Sequence, residues 1–162
     1  MKSTDKFLIG IVAGIVILIA VALIVTLSKP EDTYQADDTP EGVVHNYLLA
    51  LKNEDYNEAW SYISPELSGY PESVKDFQED ILAQRWNFTP DQATTISVSG
   101  VDIKLDNATL TLNETWLSAD GVFGSRQVVR NFEMKLQTVK GEWKIIDSDY
   151  YFLNCWHLEK GC

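Results

Sequence analysis

The chain has 162 residues, with 24 Asp or Glu against 13 Lys or Arg and a formal charge of −11. That balance repels phosphate backbones and excludes nucleic acid as a ready partner. The length suffices for one compact domain beside a short appended segment.

Residues 1–6 are polar, and Phe7–Leu27 is then an uncharged run of 21 residues. As a helix the run is about 31 Å long, against about 30 Å for the hydrocarbon core of a bilayer. A cleaved signal peptide has a shorter apolar region closed by small residues. Here Val25, Thr26, Leu27 and Ser28 make a poor cleavage site, and no Cys follows for lipidation. The run is expected to be an uncleaved transmembrane helix with the lipid bilayer as its partner. Lys2 and Lys6 precede it, whereas Lys29 is followed by Glu31, Asp32, Asp37 and Asp38. Basic flanks stay in the cytoplasm. Residues 1–6 are therefore expected to be a cytoplasmic tail, with the rest of the chain outside a cell membrane crossed once. Gly10 and Gly14 form a GxxxG pair through which two such helices could associate, although glycine is common in membrane helices generally.

Residues 28–38, SKPEDTYQADD, read as an acidic linker that could reach about 35 Å. Residues 39–162 read as one extracytoplasmic domain. From residue 31 onward there are 10 basic and 23 acidic residues, net −13, which gives an acidic solvated surface.

Thr39-Pro40 supplies an N-cap and a first-turn proline. Val43, Val44, Tyr47, Leu48 and Leu51 then recur along one helix face, with His45 beside that stripe. Asp55 with Glu58 resembles a capping box. It opens a short helix with Tyr56, Ala59, Trp60 and Ile63 inward, ended by Ser64-Pro65. Ser73 with Asp76 opens a third helix, with Val74, Phe77, Ile81 and Leu82 inward.

From Thr94 the period becomes two. The phase slips at Ser99-Gly100, which reads as a β-bulge. A turn at Asp106-Asn107 pairs Leu105 with Ala108, Ile103 with Leu110 and Val101 with Leu112. Beyond the bulge it places Val98 opposite Trp116. After a Gly-rich loop at 119–124, a strand from about Arg126 to Val139 turns at Lys140-Gly141 and returns over Glu142–Phe152. A two-residue turn there pairs Thr138 with Trp143, Leu136 with Ile145, Met134 with Asp147 and Phe132 with Asp149. The expected class is α+β: three helices on a four-stranded antiparallel sheet.

Cys155 and Cys162 lie in a compartment that permits disulfides if the topology is as read. A bridge would close a short loop, worth roughly 2–3 kcal/mol; two free thiols are the alternative. With His157 they offer only three metal ligands, where structural zinc sites use four, so neither a metal nor a cofactor is expected. Asn87, Asn107 and Asn113 begin N-x-Thr sequons, which matter only in a host that glycosylates exported proteins.

The helix opening TPEGVVHNYLLALKNEDYNEAWSYIS, a third helix, long antiparallel strands and a closing GEWKIIDSDYY resemble the nuclear transport factor two-like superfamily, with its cystatin-like cone fold. Its small exported domains of unknown function share polar-Pro-x-x-Val-Val-x-x-Tyr-Leu-x-Ala-Leu and Asp-Tyr-x-x-Ala-Trp. The resemblance covers about residues 38–153. It implies a cone between sheet and helices, in a superfamily that spans isomerases, dehydratases, cyclases, transport adaptors and secretion scaffolds.

Within such a cone, Asp147 would share the face of Trp143 and Ile145. Burial would raise its pKa and suit it to general-base work; pairing with Arg130 or solvation is the plainer alternative. Tyr47, Trp60, Tyr62, Trp116, Met134 and Trp143 could line a pocket or simply form core. The leading expectation is a membrane-anchored extracytoplasmic domain for protein contact or small-ligand binding. The second is a pocket enzyme or hydrophobic-ligand carrier using Asp147.

Overall fold

The computed structural model describes residues 3–27, 32–88, 94–120 and 124–162. It divides into two compact units between Thr33 and Tyr34. The first contains helix α1, Ser3–Leu27, which begins four residues earlier than the apolar run. Its described side chains run from Leu8 to Leu23, about 24 Å of helix, and every large apolar one is exposed. Among these described residues no helix is long and apolar enough to cross a membrane.

The second unit is α+β. Helices α2 (Pro40–Lys52), α3 (Tyr56–Ser61) and α4 (Val74–Ala83) precede strands β1 (Thr95–Lys104), β2 (Asn107–Asp120), β3 (Gly124–Val139) and β4 (Glu142–Ser148). The strands form one antiparallel sheet in the order β1-β2-β3-β4. All three caps form as the sequence implies: Thr39, Asp55 and Ser73 accept from the amides of Gly42, Glu58 and Asp76, each worth about 1 kcal/mol. The capping box at Asp55 is half made. Its own amide bonds Ala50 instead, and the Glu58 carboxylate accepts from Tyr62 at 2.6 Å.

Two helix expectations are corrected. α3 stops at Ser61, because residues 62–64 pair with β4: Ile145 N–H donates to Tyr62, and Ser64 N–H to Ile145. Leu82 is exposed, since α4 buries the i, i+4 pair Phe77 and Ile81.

The linker is corrected as well. Its residues 28–31 lie outside the described residues, but Gln35 and Ala36 are docked on α2. The buried Asn46 amide accepts from Gln35 N–H at 2.7 Å and donates to Gln35 O at 2.8 Å. A Cβ on Gly42 would sit 1.9 Å from the carbonyl oxygen of Ala36. Glycine is required there by this close approach.

The bulge in β1 forms between Val98 and Gly100. The β1–β2 register is two residues from the expected one up to the bulge and four residues from it beyond, where Val98 was expected opposite Trp116. The turn is Leu105-Asp106, with Leu105 at φ +55° and 95% exposed. Ile103 therefore faces Ala108, Val101 faces Leu110 and Val98 faces Leu112. An even shift keeps Val98, Val101 and Ile103 on the inward face, and Leu105 leaves that set for the turn. Because β1 is the sheet edge, Val98, Val101 and Ile103 stay partly exposed on that face.

The β3–β4 turn at Lys140-Gly141 has both φ angles positive, as a tight hairpin requires. Thr138 pairs with Trp143 and Leu136 with Ile145, as expected. The ladder then slips: Lys135 faces Asp147 and Met134 faces Ser148. One extra residue, Ile146, turns Asp147 to the face opposite from Met134. The strand ends at Ser148 rather than Phe152, and Asp149 instead bonds Glu133.

A C-terminal 3-10 turn, Asn154–His157, closes the core. Trp156 is fully buried and packs against Phe77, Phe88 and Phe152. The Cys155–Cys162 disulfide forms, with Cα atoms 5.1 Å apart. Gly69 docks on this loop through its amide to Trp156 O.

Gly42→Ala is expected to cost about 1–3 kcal/mol, the range for a forced overpacking. Urea unfolding measures it. Hydrogen exchange should show lost protection at the Gln35 amide; unchanged stability and protection would contradict the docking.

Candidate functional site

The inner face of β2 carries Ala108, Leu110, Leu112, Glu114 and Trp116 in strict alternation. All but one are apolar, and Glu114 is 4% exposed. Opposite it in register stands Arg130 of β3. The Arg130 Nε and Nη2 groups both donate to Glu114 Oε2, the Nε bond at 2.9 Å. Tyr151 Oη–H donates to the other oxygen, Oε1, at 2.7 Å. Tyr47 of α2 in turn donates to the Tyr151 carbonyl at 2.6 Å. The guanidinium lies 3.6 Å from the Tyr150 ring centre and 5.6 Å from that of Trp116, within cation–π range.

Each charge is satisfied by its neighbours, as a desolvated pair needs. Burial works against the Arg130 charge, but the Glu114 hydrogen bond and the charges of Glu114, Tyr150 and Tyr151 together outweigh it and the pKa rises. Burial and the Glu114 hydrogen bond push the Tyr151 hydroxyl up, and burial alone pushes Tyr47 up. Both tyrosines stay protonated donors. Tyr151 holds φ +61°, a conformation costly for a bulky residue, which the two hydrogen bonds over-determine.

A cleft of about 260 Å³ opens beside this network, lined by Gln84, Asn87, Asp149, Tyr150, Phe152 and Asn154 among others. Tyr150 belongs to both. Among the described residues, no group of three or more His, Cys, Asp or Glu side chains is placed to hold a metal.

The residues singled out from sequence scatter. Tyr47 and Met134 are fully buried core. Trp60 stacks on Tyr70 at 5.5 Å and donates to Pro71 O. Tyr62 is tied to Glu58, and Trp143 packs half-buried against the core. Trp116 reaches the Arg130 guanidinium, and Tyr47 joins the network through the Tyr151 carbonyl. Asp147 accepts from Lys135 at 2.9 Å and lies 3.4 Å from His157 Nε2. Its pKa is lowered, because these two partners outweigh partial burial. That is the opposite of the raised pocket acid expected for it. Glu114, Tyr150 and Tyr151 were missed. Glu114 had a readable signal, a carboxylate in the apolar phase of β2; Tyr150 and Tyr151 lie beyond the end of the ladder, where alternation fails.

No family model matches the chain, and no curated protein does. Solved structures share its fold. A Thiobacillus denitrificans protein described as a calcium/calmodulin-dependent protein kinase type II association domain superposes with TM-score 0.51 at 8% identity, over 69% of this chain and 93% of that one. A protein of unknown function with a cystatin-like fold from Nostoc punctiforme gives TM-score 0.46 at 13% identity, over 67% and 84% of the two chains. A Streptomyces avermitilis protein described as a dehydratase of the nuclear transport factor two-like family gives 0.44 at 12% identity, over 65% and 88%. The likeness concerns the fold alone, at 8–13% identity.

Glu114→Gln removes the counter-charge of Arg130 and is expected to destabilise by about 1–3 kcal/mol, read by urea unfolding; Arg130→Met with Glu114→Gln together should cost less than the separate losses summed. A second expectation concerns pH. Tyr47 and Tyr151 have folded pKa values above the unfolded value of about 10. Their contribution is complete below about pH 10 and is lost as pH rises beyond it. Stability curves between pH 7 and 11 should show that fall, reduced in Tyr47→Phe.

Proposed function

We propose that the protein is a single-pass membrane protein whose folded unit is a non-catalytic binding domain outside the membrane. The observation that carries this reading is α1: an unbroken helix over Ser3–Leu27 that contains the uncharged run Phe7–Leu27. Twenty-one such residues match a bilayer core, although the described side chains alone fall short. The basic N-terminal flank favours a cytoplasmic N-terminus, and the Cys155–Cys162 bridge suits an oxidising exterior. Gly10 and Gly14 lie one turn apart with nothing within 4 Å of an added Cβ. Two copies would pair through that face.

Binding is favoured over catalysis by the state of the polar groups. The buried carboxylate is neutralised by Arg130 and capped by Tyr151, so it has no role as a base. Asp147, the acid on which the enzyme and carrier reading rested, faces Lys135 on the other side of the sheet. The cleft beside Tyr150 is the binding site under this reading.

Alkaline carbonate extraction tests the anchor. The full chain should remain with the membrane pellet, and Asp or Lys at Val16 and Leu18 together should release it. Full release of the unmodified chain would overturn the anchor. Protease added to intact cells should digest the folded unit and spare the N-terminal tail.

A further inference from the structure

The cleft has a chemistry more specific than its size. Its apolar part comes from Phe152, Leu153 and the Cys155 disulfide. Its polar part is one carboxylate, Asp149, with the amides of Gln84, Asn87 and Asn154 and the Tyr150 phenol. Among the described lining residues there is no Lys, Arg or His. Lys135, which feels the charge of Asp149, is held by Asp147 at 2.9 Å. Asp149 Oδ2 accepts the Glu133 amide at 3.0 Å, leaving Oδ1 for a ligand. The Asn87 amide donates to Gln84 at 3.3 Å, so these two side chains present as a pair.

We infer that this cleft binds a primary alkylammonium group, carried by a small free amine or by a lysine side chain of a partner protein. The inference rests on the binding-domain reading but not on where α1 sits. An ammonium is a compact charge with three donors and no acceptor. It suits one exposed carboxylate in a cleft that also presents amide and phenol groups, while its methylenes lie on the apolar side. A guanidinium is a broad planar fork rather than a compact charge. An anion meets no cation in the cleft and a surrounding charge of −13. That same field concentrates cations at the mouth.

The test is isothermal titration of the full chain in phosphatidylcholine nanodiscs, with putrescine in one arm and Nα-acetyl-lysine methylamide in the other. Asp149→Asn keeps an acceptor for the Glu133 amide and removes the charge. Asp106→Asn makes the same charge change at the β1–β2 turn, outside the cleft. Saturable one-site binding is expected, weakened about tenfold or more by Asp149→Asn and unchanged by Asp106→Asn. The arm with the tighter binding identifies the source of the ammonium. Equal weakening by both variants means a diffuse acidic field and overturns the inference. So does binding of methylguanidine as tight as that of the amines, or no heat from either amine. Neither failure touches the carbonate result, and release from the membrane would leave the titration valid.

Discussion

Burial of Trp156 is the constraint on which the folded unit turns. An indole that is fully enclosed must find an acceptor for its N–H, and Asp80 of α4 supplies it at 2.9 Å. Placing that carboxylate against the ring has a cost: desolvation raises the Asp80 pKa, and the indole hydrogen bond only partly lowers it again. The same ring packs on Phe77 and Phe88, so the position of α4 is set by a residue 76 positions away in sequence. The Gly69 amide and the disulfide hold the turn that carries Trp156. Loop 64–71, α4 and the C-terminal segment are thus one packed group, which positions the lining residue Gln84, whereas Asp149 is held by Glu133 of β3.

Two strand irregularities show how far the sequence could be followed. The bulge at Ser99 was legible because Ile96, Val98, Val101 and Ile103 change phase across a glycine, and only one extra residue restores a single apolar face. The bulge at Ile146 left no such mark. Ile145 and Ile146 are both apolar, so either could face the core, and no glycine announces the slip. A one-residue slip exchanges the two faces of a strand completely. Everything inferred about Asp147 depended on the wrong choice there, whereas the two-residue error at the β1–β2 turn did no such harm. Trp156 was invisible for a different reason: a residue in a 3-10 turn has no periodicity to read, and Trp60, Trp116 and Trp143 sat in patterns that did. The starts of α2, α3 and α4 were legible, because Thr39, Asp55 and Ser73 act through purely local hydrogen bonds.

The polar cluster on the inner sheet face is organised by pairing rather than by free charge. Glu114 and Arg130 face one another across β2 and β3, the shortest route by which a carboxylate on an apolar strand face can be neutralised. Tyr150 and Tyr151 follow in sequence but serve opposite sides of this pair, one ring against the guanidinium and one hydroxyl on the carboxylate. The left-handed backbone at Tyr151 makes that division possible, since two successive extended residues would have sent the side chains to opposite faces. The pair leaves the cleft beside it without a competing cation.

The Asn46–Gln35 contact carries a mechanical consequence. Any tension transmitted along the chain from α1 reaches the folded unit at Tyr34. The bonds that bear it include that of the Tyr34 side chain with Asn53 and the two between the Asn46 amide and the Gln35 backbone. The latter two join side chain to main chain next to Gly42, whose missing Cβ lets Ala36 lie close. A pull would peel this short segment from α2 before it loads the sheet. The attachment therefore behaves as a mechanical fuse, lengthening the leash by a few residues while the hydrophobic core and the cleft beside Tyr150 remain unstrained.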